Sequence, residues 1–307
     1  MITHERPYFF KYATASTTLA ILANSSVRWS SPNLFNDPFD IQFDLRIPFS
    51  REEYRSAVSK RLYDFFENGR STPVNVDNPS TQLFNALLDI MKCRAEDFNA
   101  DQFVEQVMPS LDASYDAMLQ SLPKYHGETK EMLNDVCVFC VSEVPDSLLM
   151  WSHYADSHRG ALIKLRCLPE YDTALCAAVP VKYADDIPPF ATLNGIVESA
   201  FGVSPLRGDH LFHVLTATKS SEWSYEREWR TITTFRNKAQ HEAGYADYKI
   251  LPEEIEEIIL GCKIAEADRE KIVELAAEKY PDAIVSIAKK HPGKYALEFE
   301  PLVNGDT

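Results

Sequence analysis

Nowhere in its 307 residues does the chain carry an apolar run of about 18, the length that crosses a bilayer. Its N-terminus, MITHERPYFFKYA, has neither an apolar central segment nor a small-residue cleavage site. It therefore predicts no signal peptide, a cytoplasmic protein and no membrane partner. Positive charge is short: 31 Lys and Arg stand against 46 Asp and Glu, for a net charge of -15. No Lys/Arg run is longer than a pair. Proteins that neutralise phosphates along a duplex need a basic face, so general duplex DNA binding is not expected. Six cysteines in a chain of this length, without a signal, are expected to be reduced core thiols. Internal repeats and low-complexity linkers are both missing.

What is present reads as globular: 45% hydrophobic and 11% aromatic residues. PYFFKY (7–12) and VRWSS (27–31) predict strands on either side of a helix over 16–23, with Ser16, Thr17 and Thr18 as cap candidates. Ser50 and Glu53 form a capping-box pattern that opens a helix to about Asn68. Further helices are expected over 81–93 and 100–121, the latter with Asn99 and Gln102 as a cap pair and a bend or break at Pro109. β character returns with VCVFCVS (136–142). A short helix follows from a capping Asp146 to Gly160 at its C′ position. ALIKLRC, VPVKY, EREWRTITTF, YKILP and IEEIILG read as strands, 266–280 as a helix, and IVSIAKK with KYALEFE as a hairpin turning on HPG. This order predicts an α+β fold, a single domain over 1–307 with a central mixed or antiparallel sheet and a helical insertion at about 51–135.

Four constellations carry chemistry. Cys137-x2-Cys140-x12-His153-x4-His158 fits a zinc-finger spacing. Yet both cysteines sit in a strand, where residues three apart face opposite sides, and no turn residue stands between them. Core thiols are expected and no metal. LMWSHYADSHRG places Trp151, His153 and Tyr154 on one short helix, which is either an amphipathic packing helix or an aromatic platform with a histidine offered to a ligand. FNDPFD (35–40) is either a turn, with Asn36 and Asp37 capping local amides, or a loop closing over a ligand. SYEREWR (224–230), read as a strand, puts Glu226, Glu228 and Arg230 on one face. Two carboxylates about 7 Å apart then need a cation or ligand between them. Arg230 as that cation would make a plain Glu–Arg ladder. In a cleft, the pair would instead stabilise an oxocarbenium ion and orient a nucleophile.

Taken in order, FKY, SSPNLFNDPFD, MWSHYA and the set Lys219, Trp223, Tyr225, Glu226, Glu228, Trp229 and Arg230 resemble a bacterial family of unknown function, over about Tyr8 to Gly261. The layout is also similar to ADP-ribosyltransferases, more weakly. That similarity implies an NAD-dependent transferase or glycohydrolase with NAD as substrate and an acceptor of protein or nucleic acid, of a kind also found among toxins and anti-phage effectors. It implies Glu228 as the catalytic glutamate of an E-x-E pair and Glu226 as its partner. It further implies Lys11 on the first strand, Ser30 or Ser31 on the second, Tyr12 or Tyr154 stacked on nicotinamide, Asn36 on the ribose or amide, and Lys11 and Arg230 toward the pyrophosphate. Lys11 stands where the family has Arg or His, and no S-T-S triplet is present. The alternative from the same boxes is a non-catalytic nucleotide- or protein-binding module. A nuclease-type site, with Glu226, Glu228 and Asp37 on a divalent ion, is opposed by the missing basic face.

Overall fold

A computed structural model describes residues 3–42, 44–68, 99–189, 191–201 and 208–302. The helix expected over 81–93 lies outside them. Among the described residues no helix is long and apolar enough to cross a membrane. The chain divides into two compact units, one of Met1–Gln42, Glu131–Asp186 and Ala217–Thr307, the other of Phe43–Lys130 and Ile187–Thr216.

The first unit carries the strands β1 (Tyr8–Ala13), β2 (Ser26–Ser30), β3 (Val136–Ser142), β4 (Ala161–Arg166), β5 (Val179–Pro180), β6 (Lys182–Ala184), β7 (Thr218–Ser220), β8 (Glu228–Thr234), β9 (Tyr245–Lys249), β10 (Ile255–Leu260), β11 (Ile284–Lys290) and β12 (Leu297–Pro301). The main sheet runs β12-β11-β10-β4-β1-β3-β2-β9, with β8 against β3 and β5 against β8; β6 and β7 pair apart from it. In the main sheet β10 and β11 run parallel, joined by the helix Glu266–Lys279, because a parallel pair needs a crossover. Its other pairings are antiparallel. The chain is thus α+β around a mixed sheet, as its pattern predicts.

Period-two alternation decides which side chains go where. Phe9 joins Trp29, Phe139, Ile163 and Leu165 in the larger core. Its neighbours Phe10 and Tyr12 pack on the other face with Trp151, Leu162 and Ile259. Each such side chain, fully buried, contributes about 1.5–3 kcal/mol.

One feature of the ladder positions the site. β3 pairs with β8 at seven successive positions, from Val136 opposite Thr234 to Ser142 opposite Glu228. Toward β1 it makes a single pair, Phe10 opposite Ser142, and toward β2 another, Ser30 opposite Val138. Between those points the ladder is open. The Cys140 carbonyl, midway, receives Lys11 Nζ at 2.8 Å instead of a strand partner, which satisfies a group that is costly to leave unpaired.

In the second unit Glu53 Oε2 accepts from the Ser50 backbone at 2.7 Å and Ser50 Oγ from Glu53 N at 3.2 Å, so the capping box forms as read and the helix Arg51–Asn68 follows. Asn99 likewise caps Gln102 N at 3.1 Å. The helix it opens differs from expectation. It runs from Ala100 to Asn134, straight through Pro109 and Pro123. Val104 and Tyr115, on either side of Pro109, are both buried with Phe49, Tyr54 and Leu62. That packing outweighs the one lost hydrogen bond and the ring clash, about 3 kcal/mol for an interior proline.

Two other local expectations are corrected. The first helix starts at Ala15, and its cap is Thr14, whose Oγ1 accepts from Thr17 N at 3.1 Å. The helix opened near Asp146 is capped by Ser147 and ends at His153. Three successive residues in the left-handed region, Asp156, Ser157 and His158 (φ 47, 54 and 69°), reverse the chain after it. Gly160 therefore serves as no helix cap. A Cβ at Gly160 would lie 2.1 Å from the Ala13 carbonyl oxygen, so only glycine lets the loop pass the end of β1. Gly160→Ala is expected to cost at least ~1–3 kcal/mol, read as a lower midpoint in urea unfolding. An unchanged midpoint would show that the loop shifts freely.

Candidate active site

Where β3 parts from β1 and β2, a cavity of about 360 Å³ enters the first unit. The residues of those two isolated pairs, Phe10, Ser142, Ser30 and Val138, line it. Its acidic end is built by a segment that departs from the strand expected there. Ser221–Glu226 is a 3-10 helix, capped by Ser220, whose Oγ accepts from Glu222 N at 3.4 Å. Arg227 then takes a left-handed conformation (φ 44°), and β8 begins only at Glu228. Glu226 is thus no member of the strand. Ser142 Oγ donates to the Glu226 carbonyl at 2.6 Å, and the exposed Arg227 guanidinium pairs with Glu143. Together they hold the kink.

The cation between the two carboxylates is Lys219, from β7. Its Nζ donates to Glu226 Oε2 at 2.6 Å and to Glu228 Oε2 at 3.1 Å, and lies 3.4 Å from Asp40 Oδ2. Arg230, fully buried, grips Glu228 with both sides of its fork, Nε to Oε1 at 2.8 Å and Nη2 to Oε2 at 3.1 Å. The same Nη2 reaches Asp40 Oδ2 at 2.7 Å. Tyr154 Oη donates to Glu226 Oε1 at 2.5 Å.

Unequal pairing gives the two glutamates different proton affinities. Burial pushes the Glu226 carboxyl up, the nearby Glu228 charge adds to it, and Lys219 and Tyr154 only partly oppose them, leaving it at about 7. Burial also acts on Glu228, but the Arg230 and Lys219 charges outweigh it and hold that carboxyl below the usual range. The Lys219 ammonium is held charged: burial works against it, but Glu228, Glu226 and Asp40 together raise its pKa. The Cys140 thiol, buried and beside Glu228, is pushed well up and stays protonated. One buried group that carries a proton near neutrality beside one that is ionised is the arrangement acid–base catalysis uses.

The raised Glu226 value makes folding stability depend on pH. Below its ordinary value of 4.5 the carboxyl is protonated in both folded and unfolded chains. Between 4.5 and about 7 the unfolded chain ionises while the folded site keeps its proton, so the contribution is lost as pH rises through that window. Glu226→Gln removes this titration. The variant's melting temperature relative to the native chain is expected to climb from pH 4.5 to 7 and level off above it. A difference flat across the window would rule out a raised carboxyl.

The cavity gathers most of the residues singled out in the sequence. Lys11, Tyr12, Ser30, Asn36, His153, Tyr154, Lys219, Glu226 and Glu228 all line it. Lys11 is bound to the Cys140 carbonyl, and burial lowers its pKa. Tyr12 Oη donates to the Val144 carbonyl at 2.8 Å. His153 is exposed at the rim, its ring 6.2 Å from Tyr225. Asp37, Trp151 and Arg230 do not line the cavity. Asp37 accepts from Phe39 N at 2.9 Å and so caps the FNDPFD turn. Trp151 is a core residue whose Nε1 donates to the Pro145 carbonyl at 2.8 Å. Ser31 caps a 3-10 turn. Cys137 lies in the larger core while Cys140 lines the cavity, on opposite faces of β3. Among the described residues no group of three His, Cys, Asp or Glu side chains is placed to hold a metal ion.

One residue of this network that the sequence reading does not single out is Asp40, buried between Lys219 and Arg230. Its only local signal is its place as the final residue of FNDPFD. Tyr183 is a second, since its hydroxyl accepts the Glu228 backbone N–H at 2.8 Å and fixes the start of β8.

Residues 150–231 match the model of a family described as a protein of unknown function, DUF2971. The DUF2971 match agrees with the resemblance to a family of unknown function. It takes in Tyr154, Lys219, Glu226, Glu228 and Arg230, while Lys11, Ser30 and Asp40 come from outside it. No curated protein and no solved structure matches the chain.

Proposed function

We propose that the cavity binds the nicotinamide–ribose end of NAD+ and cleaves its N-glycosidic bond, passing the ribosyl group to water or to an acceptor. The observation that carries this reading is the Glu226–Glu228 pair, bridged by one ammonium and held at different proton affinities. As the C1′–N bond breaks, its electron pair neutralises the pyridinium nitrogen and nicotinamide leaves uncharged. The ribosyl group is left as an oxocarbenium ion, which the ionised Glu228 stabilises from a fixed position. The attacking hydroxyl or water gives its proton to Glu226, whose carboxyl at about 7 is suited to accept it. Tyr154 fixes that carboxylate, and Asn36 and Ser30 are at hand for the amide or ribose. A cavity of this size lies at the low end for ligand sites and suits a nucleoside-sized moiety.

The test is incubation of the protein with NAD+, following nicotinamide by chromatography, with cell extract as a source of acceptors. Release by the native chain supports the reading; none, with extract supplied, removes it. A second reading, a nucleotide- or protein-binding module without chemistry, is favoured by one observation: Lys219 and Arg230 have carboxylate partners within the protein, as in a structural network. It expects NAD+ to bind and be recovered intact.

A further inference from the structure

The demand left unmet inside the cavity is for a hydrogen-bond donor. Asp40 is 3% exposed and lines the cavity. Its Oδ2 is shared between Arg230 at 2.7 Å and Lys219 at 3.4 Å, while its Oδ1 is buried and has no partner. A buried carboxylate oxygen without a donor is costly, and a ligand that brings a hydroxyl or amide N–H to it removes that cost.

The cations on the cavity wall are in the opposite condition. Lys219 is committed to three carboxylates, and Lys11 donates to the Cys140 carbonyl. Arg28 binds both oxygens of Asp247, at 2.9 and 3.0 Å. A phosphate entering the cavity would have to displace one of these partners. It would also approach the ionised Glu228, whose like charge opposes it.

We propose that the cavity reads the hydroxyls of a ribosyl group, with Asp40 Oδ1 accepting from one of them, and that phosphate plays no part in recognition. This rests on the cavity being a ribosyl-transfer site and narrows its substrate class to nucleosides carrying a leaving base. The phosphates of a dinucleotide then stay outside.

The test is calorimetric titration of the full chain, at pH 7, with nicotinamide riboside, its 5′-phosphate and its 2′,3′-dideoxy analogue. The riboside and its phosphate are expected to bind within about tenfold of each other, and loss of the hydroxyls to weaken binding more than about tenfold. A 5′-phosphate more than about tenfold tighter, or a dideoxy analogue as tight as the riboside, overturns the proposal. So does the absence of binding by all three. Asp40→Asn is expected to weaken riboside binding, by no more than the loss of both hydroxyls weakens it in the native chain. Should that variant fail to fold, the ligand series on the native chain still decides. Nicotinamide release is followed in the same samples. No release with the expected binding order removes the catalytic reading and keeps only the recognition of ribosyl hydroxyls, as binding without turnover. Release with phosphate-dependent binding does the reverse.

Discussion

Glu226→Gln is expected to release nicotinamide from NAD+ at least ~100-fold more slowly than the native chain, because a positioned general base contributes about 10²–10⁴-fold. The amide has the size of the carboxyl: its oxygen still accepts from Lys219, and its NH2 donates to the Tyr154 hydroxyl oxygen. It cannot take the proton of the incoming nucleophile. Lys219 keeps Glu228 at 3.1 Å and Asp40 at 3.4 Å, so the ammonium is not stranded. Stability at pH 7.5 is therefore expected to equal or exceed that of the native chain, since a carboxyl pushed up to about 7 is destabilising once ionised. This separation of turnover from stability marks a catalytic role. Native-like turnover in the variant would place the proton acceptor elsewhere.

Arg230→Met is expected to be the most destabilising single change at the site, by about 3–5 kcal/mol, because it strips a buried pair of one partner. The side chain is fully buried and binds Glu228 on both oxygens and Asp40 on one. Without it Asp40 and Glu228 are left with Lys219, which Glu226 also uses. At about 2–4 °C per kcal/mol in a protein of 150–250 residues, the melting point should fall by roughly 10 °C. Adding Asp40→Asn to Arg230→Met should recover part of the loss, since residues of one network couple by about 0.5–3 kcal/mol. Strict additivity of the two changes, or a loss below about 1 kcal/mol for Arg230→Met, would show that the network is not holding the site together.

Both expectations depend on features that differ in how legible they are in the sequence. The strands around the cavity follow from alternation: Phe9 and Phe10 are neighbours in the chain and lie in different cores. Local chemistry also marks the caps at Ser50 and Asn99, because a capping side chain and the amide it binds are three residues apart. Glu226 and Glu228, named as a pair from their spacing, do converge with Lys11, Asn36 and Tyr154 on one cavity. The geometry within that pair was not legible. Arginine has no preference for a positive φ, so nothing local announces the turn at Arg227 that takes Glu226 out of the strand. Contacts with Ser142 and Glu143, far away in sequence, hold it there.

By itself, then, the sequence determined the class of fold, most of the strands, the caps at Ser50 and Asn99, and the residue types available for chemistry, because alternation and capping act over a few residues. Only the tertiary structure decided that Lys219 and not Arg230 bridges the glutamates, that Arg230 is buried behind them, and that Asp40 joins them. Those choices balance burial of charge against partners up to 190 residues apart, and no local pattern encodes that balance.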